Sequence, residues 1–445
     1  MLEVLFKSIR RIFLLIIVFL SSFLLVNPTV YAKNYEEKIN VESWVPRAAY
    51  SYWSNKTNGA VPSYRVTLDG KKYERDLHPR IYYAYDNNNN VLAELYCVEQ
   101  GLNINEYNPR YSIKNNFNFR ERKVTNVTSD YENRKNLISQ IISVGYKVSV
   151  VNEAGKAYNK ADYKDKILNN KNVSEMIAVQ QLIWEVARGE RNTLKTYYPN
   201  ERCVKSDKKT YYCPFYHYLQ NNKSNSKIKP ILDAYNKIIE KANKIYNKTP
   251  YEFSPTKPNA KTKKMNYDGK YFVLKLNNVN KNYQYFDFGD AKDNHIWIET
   301  SNNNDTIIIK SSKVLEKPVL ITASFNPPKN KLTDSFVVYN SADDKNKNKD
   351  EYQALAIGTA SANYYLKVQT PDYQIKIIKK DSITGKALAG VKFAICSKNT
   401  CDKSSIITTV TTDNNGVATY NKITKPATYY IKETSVPAGY QLDTK

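Results

Sequence analysis

The sequence predicts a multidomain chain, an α+β unit followed by two all-β sandwiches, and three observations carry that expectation. Apolar residues recur at helical spacing in three stretches, Asn133–Tyr146, Asn172–Glu190 and Ile228–Ile245. From about Tyr267 the helical period disappears, and short β-branched and aromatic runs alternate with Asn, Asp and Pro turns. Between the two patterns lies Thr249–Lys264, which holds Pro250, Pro255, Pro258 and several lysines and reads as a linker.

The chain begins with a secretory pattern. Lys7, Arg10 and Arg11 precede the apolar run Ile12–Val26, and Val30-Tyr31-Ala32 offers small residues at a cleavage position. Residues 1–32 are therefore read as a signal peptide and the mature chain as secreted. No second apolar stretch is long enough to span a bilayer. The formal charge is +24, and because the signal carries three positive residues against Glu3, the mature chain keeps +22. Such a balance suits nucleic acid, but secretion argues against that partner, and the charge is spread over Lys- and Asn-rich segments, not focused in one block. With three histidines, no HExxH and no Gly-rich phosphate loop, neither metal, cofactor nor an ordinary enzyme class is expected.

Taken in order, the α+β unit covers about 33–255. Ile81–Tyr85 and Val91–Val98 form a strand pair around the turn Asp86–Asn90. Two-residue alternation puts Val91, Ala93, Leu95 and Cys97 on one apolar face. Asn133–Tyr146 presents Leu137, Ile138, Ile141 and Ile142 to one side. In Asn172–Glu190, Asn172 and Glu175 read as a capping box. Met176, Ile177, Ile183, Trp184 and Ala187 all fall within roughly 60° of Gln180. Gln180 is thus central on the apolar face, with Gln181, Glu185 and Arg188 towards its polar edge. The helix through Ile228–Ile245 tolerates Pro230 because it lies in the first turn.

The first sandwich, 256–370, is read from Tyr271–Leu276, His295–Thr300, Thr306–Lys310, Val319–Phe325, Ser335–Tyr339, Glu351–Ile357 and Tyr364–Val368. The second, 371–445, is read from YQIKIIKKD, the turn Ser382–Gly385, VKFAI, GVATY and YYIKETSVPAGY.

There are five cysteines. Cys203 and Cys213 bracket a short polar loop and Cys396 and Cys401 a tighter one, and each pair can bridge in an oxidising compartment. Cys97 is odd, which in a secreted chain implies an intermolecular bridge or a reactive thiol. A buried carboxamide such as Gln180 must be hydrogen-bonded or chemically employed. A thiolate that attacks a glutamine carboxamide expels ammonia and leaves a thioester, stable while water is kept out and electrophilic towards an amine that gets in. An inert buried cysteine and a hydrogen-bonded core glutamine satisfy the same patterns.

LYCVEQG together with AVQQLIWE resembles the thioester domain of Gram-positive surface adhesins. That family pairs an aromatic- or aliphatic-Cys-apolar strand motif, here Tyr96-Cys97-Val98, with an apolar-Gln-x-x-apolar-Trp helix motif, here Val179 to Trp184. Val179 and Leu182 stand where many members have Thr and Ala. The resemblance implies a Cys97–Gln180 thioester in a pocket of Tyr96, Met176, Ile183 and Trp184. A competing register, Cys97-Val98-Glu99-Gln100, has the Cys-x-Glu-Gln spacing of complement-type thioester proteins but lacks their glycine, and leaves Gln100 as the rival acyl donor.

The last unit resembles the Cna B-type, prealbumin-like domains of the same adhesins, in which a first-strand Lys bonds to a last-strand Asn or Asp with help from an intervening acid. The resemblance places the lysine at Lys379, with Lys380 as the alternative register, and the acid at Glu433. A plain salt bridge fits the same pair. The Asn or Asp is expected beyond Lys445, so this domain is read as incomplete, and no LPxTG sorting signal is visible. Ser206-Asp207-Lys208-Lys209 matches SxxK in a charged loop without catalytic context, and a cysteine protease or transglutaminase using Cys97 with His217 has no motif support.

The expected protein is a secreted, wall-associated adhesin that captures a lysine amine of a host surface or matrix protein and meets the cell wall through a missing C-terminal region. The alternative is a structural wall or pilus-type stalk, or a non-covalent binding module in which Cys97 stays a thiol.

Overall fold

A computed structural model describes residues 38–443 apart from internal stretches, of which 54–62, 100–109, 120–130, 326–335 and 342–353 are the longest. The signal segment 1–32 and Gln100, Cys203, Cys213 and Ser206–Lys209 lie outside the described residues. The chain divides into two compact units, one of 1–242 and 327–361, the other of 243–326 and 362–445.

The first unit is built on a closed, antiparallel six-stranded barrel. Its strands run in the order Lys38–Trp44, Ile81–Tyr85, Val91–Cys97, Leu355–Gly358, Phe336–Ser341 and Arg110–Ile113, and the last pairs back on the first. Closure removes the exposed sheet edges that an open sheet of this length would present. One barrel face gathers Ile39, Val41, Tyr82, Ala84, Ala93, Leu95, Cys97, Tyr111, Leu355 and Ile357 into a core. Ile81, Tyr83, Tyr85 and Val91 face the other way, against Tyr163, Ile167 and Met176. Strand Ile81–Tyr85 is buried on both faces for that reason.

Two of the strands correct the sequence reading. Ser335–Tyr339 and Glu351–Ile357 were expected in the first sandwich, but Phe336–Ser341 and Leu355–Gly358 complete the barrel of the first unit. An apolar strand is compatible with any sheet that offers an edge, and local patterning does not say which. The boundary expected at 255/256 also differs, because the first unit ends at 242 and takes in 327–361 from the stretch read as the first sandwich. The register expected for Val91 also changes. Ala84 pairs with Ala93 but Tyr85 pairs with Val91, so Leu92 is an extra residue in a bulge. One extra residue reverses the alternation, which sends Val91 to the opposite face from Cys97.

Helix Val173–Ala187 differs from its expected amphipathic form. Gln181 and Glu185 are buried within it, as is Arg188 at its C-terminal end, while Gln180 and Trp184 keep partial exposure. The helix is enclosed on several sides, packing on strand Val91–Cys97, on helix Tyr131–Val144 and on the short helix Arg47–Trp53. The capping box is not formed. The Asn172 side chain donates to the Tyr146 hydroxyl (2.9 Å), and no side chain caps the helix.

In the second unit, one sheet orders Asn266–Tyr267, Phe272–Asn277, Thr306–Ser311 and Ile296–Thr300, and another orders Val319–Phe325, Ala362–Gln369 and Thr262–Lys264. Alternation is regular: Ile307, Ile309 and Ser311 are buried, as are Ile321, Ala323 and Phe325. The stretch read as a linker is packed. Phe253 and Ala260 are buried, Ser254 bridges to Tyr365, and Thr262–Lys264 is a strand. Asn282, wholly buried, donates to the carbonyls of Lys244 and Lys248 and so closes the C-terminal end of helix Ile228–Tyr246. The last 70 or so residues form two small sheets, Ile375–Ile378 with Val417–Tyr420, and Ile406–Thr411, Lys392–Cys396 and Tyr430–Ser435. Leu388, Val391 and Phe393 are their core, and Cys396 and Cys401 form a disulfide.

Candidate functional site

Cys97 is the final residue of its strand and is fully buried. It stands opposite Leu355, and its neighbour Val98 makes the hydrogen bond to that side, donating to the Ala354 carbonyl at 3.0 Å. At such a non-hydrogen-bonded position both backbone groups of Cys97 point to the other edge. Pairing on that edge stops at Tyr82–Leu95, so the strand that would receive them has already ended.

Gln180 takes that place. The Cys97 N–H donates to Gln180 Oε1 at 3.1 Å, and Gln180 Nε2 donates to the Cys97 carbonyl at 2.7 Å. One carboxamide therefore does what a neighbouring strand's peptide would do, and the Cys97 peptide is satisfied. One helical turn later Trp184 lies on the same face, and its indole Nε1–H donates to Cys97 Sγ at 3.2 Å. The thiol in turn donates to the Glu99 carbonyl at 3.3 Å. Gln180 and Trp184, the two partly exposed residues in this half of the helix, thus connect the buried sulfur with the surface.

Of the four residues expected around this pair, Trp184 meets Cys97. Met176 belongs to the cluster on the other barrel face. Tyr96, by alternation, faces away from Cys97 and shares its surroundings with Glu94, Tyr146 and Tyr163. Ile183 is fully buried and does not share the cluster of Cys97.

Sequence reasoning missed two groups. Glu99, nearly buried, accepts the Ala354 N–H at 2.8 Å and so holds the strand opposite Cys97. The second is the ionic network behind Trp184. Glu185 pairs with Arg191 at 3.3 Å and accepts from the Tyr235 hydroxyl at 2.6 Å, while Arg191 donates to that hydroxyl at 2.7 Å and to the Leu194 carbonyl at 3.0 Å. Arg188 and Glu190 form a second buried pair at 2.7 Å. Burial pushes Glu185 up to about 7 against the pull of Arg191 and Tyr235. The signal was the charge run Arg188, Glu190, Arg191 directly after an apolar helix, which resembles a solvated end until the fold buries it. On the reverse side of the Cys97 strand, removal from water pushes Glu94 up to about 7 and Lys147 down to about 8.

In the C-terminal domain Lys379 Nζ lies 3.0 Å from Glu433 Oε1, the lysine partly exposed and the carboxylate buried. Glu433 Oε2 also accepts the Asp443 N–H at 2.7 Å. Lys380, the alternative lysine, is exposed. Gly416 fixes this place: its carbonyl accepts the Lys379 N–H at 2.8 Å, and at φ +71° a Cβ there would lie 2.4 Å from the Lys379 carbonyl. Among the described residues no group of three His, Cys, Asp or Glu could hold a metal ion, and no helix is long and apolar enough to cross a membrane.

Residues 373–445 match the family described as SpaA, prealbumin-like fold domain. A search of curated proteins finds no match to the chain. Among solved structures, the chain is similar to BcpA, the major pilin subunit of Bacillus cereus, at 16% identity and TM-score 0.18, covering 41% of this chain and 51% of that one. It is also similar to the T6 backbone pilin of serotype M6 Streptococcus pyogenes, at 17% identity and TM-score 0.19, covering 44% and 40%. A third is the group B streptococcus pilus 2b backbone protein, at 17% identity and TM-score 0.14, covering 40% and 69%. The protein is thus multidomain and mostly β with a few helices, and it carries a prealbumin-like domain at 373–445.

Proposed function

We propose that this chain is a secreted surface protein of a Gram-positive bacterium that attaches covalently to amines through a thioester between Cys97 and Gln180. The observation that carries the reading is the double hydrogen bond between the Gln180 carboxamide and the Cys97 peptide, which holds an acyl group against Cys97. Formation of the bond is balanced: Cys97 Sγ joins Gln180 Cδ, the C–N bond breaks, and the thiol proton leaves with the nitrogen as ammonia. In that addition negative charge develops on Oε1, where the Cys97 N–H already donates. A primary amine then attacks the same carbon, the C–S bond breaks, and the amine's proton ends on sulfur. The substrate class is a lysine amine on a host surface or matrix protein, and partial exposure of Gln180 gives it a way in.

A second reading has its own support. Gln180 as an intact amide already satisfies both backbone groups of Cys97, and Lys379 lies against Glu433 as an ion pair. On that reading the chain is a structural stalk or a non-covalent module of the bacterial wall. Incubation with methylamine separates the two. The first reading predicts methylamine incorporated at Gln180, located by peptide mass spectrometry; a chain that incorporates none supports the second.

A further inference from the structure

We propose that Trp184 is a catalytic residue of the amine-transfer step, donating its indole N–H to the sulfur that leaves. The inference rests on the thioester reading and adds a role for a group that reading names only as part of the pocket. The sulfur of Cys97 is fully buried, so no water solvates it when the C–S bond breaks. A thiolate expelled into such surroundings is costly unless a donor faces it. The Trp184 indole N–H faces it at 3.2 Å, within the range of a hydrogen bond to sulfur.

Two of the contacts of this sulfur suit its two states. As a leaving thiolate it accepts from Trp184 Nε1–H. As a thiol, after taking the proton released by the attacking amine, it donates to the Glu99 carbonyl at 3.3 Å. The amine nitrogen forms its bond to Gln180 Cδ, the electron pair of the C–S bond goes to sulfur, and the amine proton follows. An indole is suited to this place because it is a donor only and carries no charge of its own, so it can sit at the edge of an apolar core without a counter-ion. The ring is held there by the barrel core on which it packs.

The test compares the wild type with Trp184→Phe, which keeps an aromatic ring and removes the donor. The expected result is that both chains are isolated one ammonia lighter than their sequence mass. The variant then reacts with methylamine about tenfold or more slowly. In a Gln180→Ala background, the Cys97 thiolate absorbance of the Trp184→Phe chain appears at higher pH than in its Trp184 counterpart, a shift that a purely space-filling ring would not cause. A wild-type measurement stands beside the variant in case it does not fold. Among the four tryptophan indole resonances of nitrogen-15-labelled protein, the one moved by Cys97→Ala must also move when methylamine opens the thioester. Equal aminolysis rates with unshifted thiolate absorbance, or an indole resonance indifferent to aminolysis, overturns the role of Trp184 while leaving the thioester in place. A wild type that shows the full sequence mass overturns both.

Discussion

The Gln180 side chain spans the Cys97 peptide, accepting its N–H at 3.1 Å and donating to its carbonyl at 2.7 Å, at the point where the neighbouring strand has ended. While the carboxamide is intact, the two residues therefore depend on each other for backbone satisfaction, and loss of Nε2 as ammonia removes the donor to the Cys97 carbonyl. This separates two variants that chemistry alone would treat alike. Cys97→Ala and Gln180→Ala both abolish a thioester, but only the second leaves a buried N–H and carbonyl without their partner. We expect Gln180→Ala to be less stable than Cys97→Ala by about 2 kcal/mol, measured by urea unfolding. Equal stabilities would mean that the clamp contributes nothing.

The network behind Trp184 makes a second prediction. Arg191 is buried against Glu185 and Tyr235. Removing it alone strands a carboxylate in the core, so Arg191→Leu is expected to cost about 3–5 kcal/mol. Adding Glu185→Gln removes the stranded charge, and the double variant should recover a large part of the loss. A double-mutant cycle by chemical denaturation checks this, and purely additive effects would argue against a coupled pair.

Glu94 sets an expected pH dependence. Removal from water is the largest cause holding its folded pKa near 7, above the ordinary value of 4.5. A raised carboxyl favours the protonated fold, so its contribution is complete below about pH 4.5 and is lost as pH rises to about 7. Glu94→Gln keeps an oxygen for the Val148 N–H, which Glu94 now accepts at 2.7 Å. We expect it to stabilise the chain at pH 8 by about 1–2 kcal/mol and to change little at pH 4. Thermal melts across that range test the slope, and a variant that parallels the wild type at every pH would contradict it.

In the C-terminal domain, Gly416→Ala is expected to destabilise by about 2 kcal/mol. Its φ of +71° strains any L side chain, and the new Cβ would push on the Lys379 carbonyl. The readout is thermal unfolding of the full chain, and an unchanged melt would show that the turn yields freely.

How much of this was legible in the sequence follows from how local each feature is. The inward direction of Cys97 was readable because Ala93, Leu95 and Cys97 alternate without interruption, whereas Val91 was misplaced because the bulge at Leu92 leaves no compositional mark. Helix Val173–Ala187 was readable from its period, but not the burial of Gln181, Glu185 and Arg188, since their enclosure depends on elements far along the chain such as Tyr235. Strands Phe336–Ser341 and Leu355–Gly358 were recognisable as strands and assigned to the wrong sheet, because barrel closure pairs them with Arg110–Ile113 and Val91–Cys97 across more than two hundred residues. The packed course of 249–264 was hidden by its prolines and lysines, which resemble a linker until the fold buries Phe253 and Ala260.

The measurement that bears most directly on the central claim is the intact mass of the purified wild-type chain beside Cys97→Ala. The account predicts a wild type lighter than its sequence mass by one ammonia, with the full mass restored in Cys97→Ala. A wild type that carries its full sequence mass, with no ammonia missing, would contradict it.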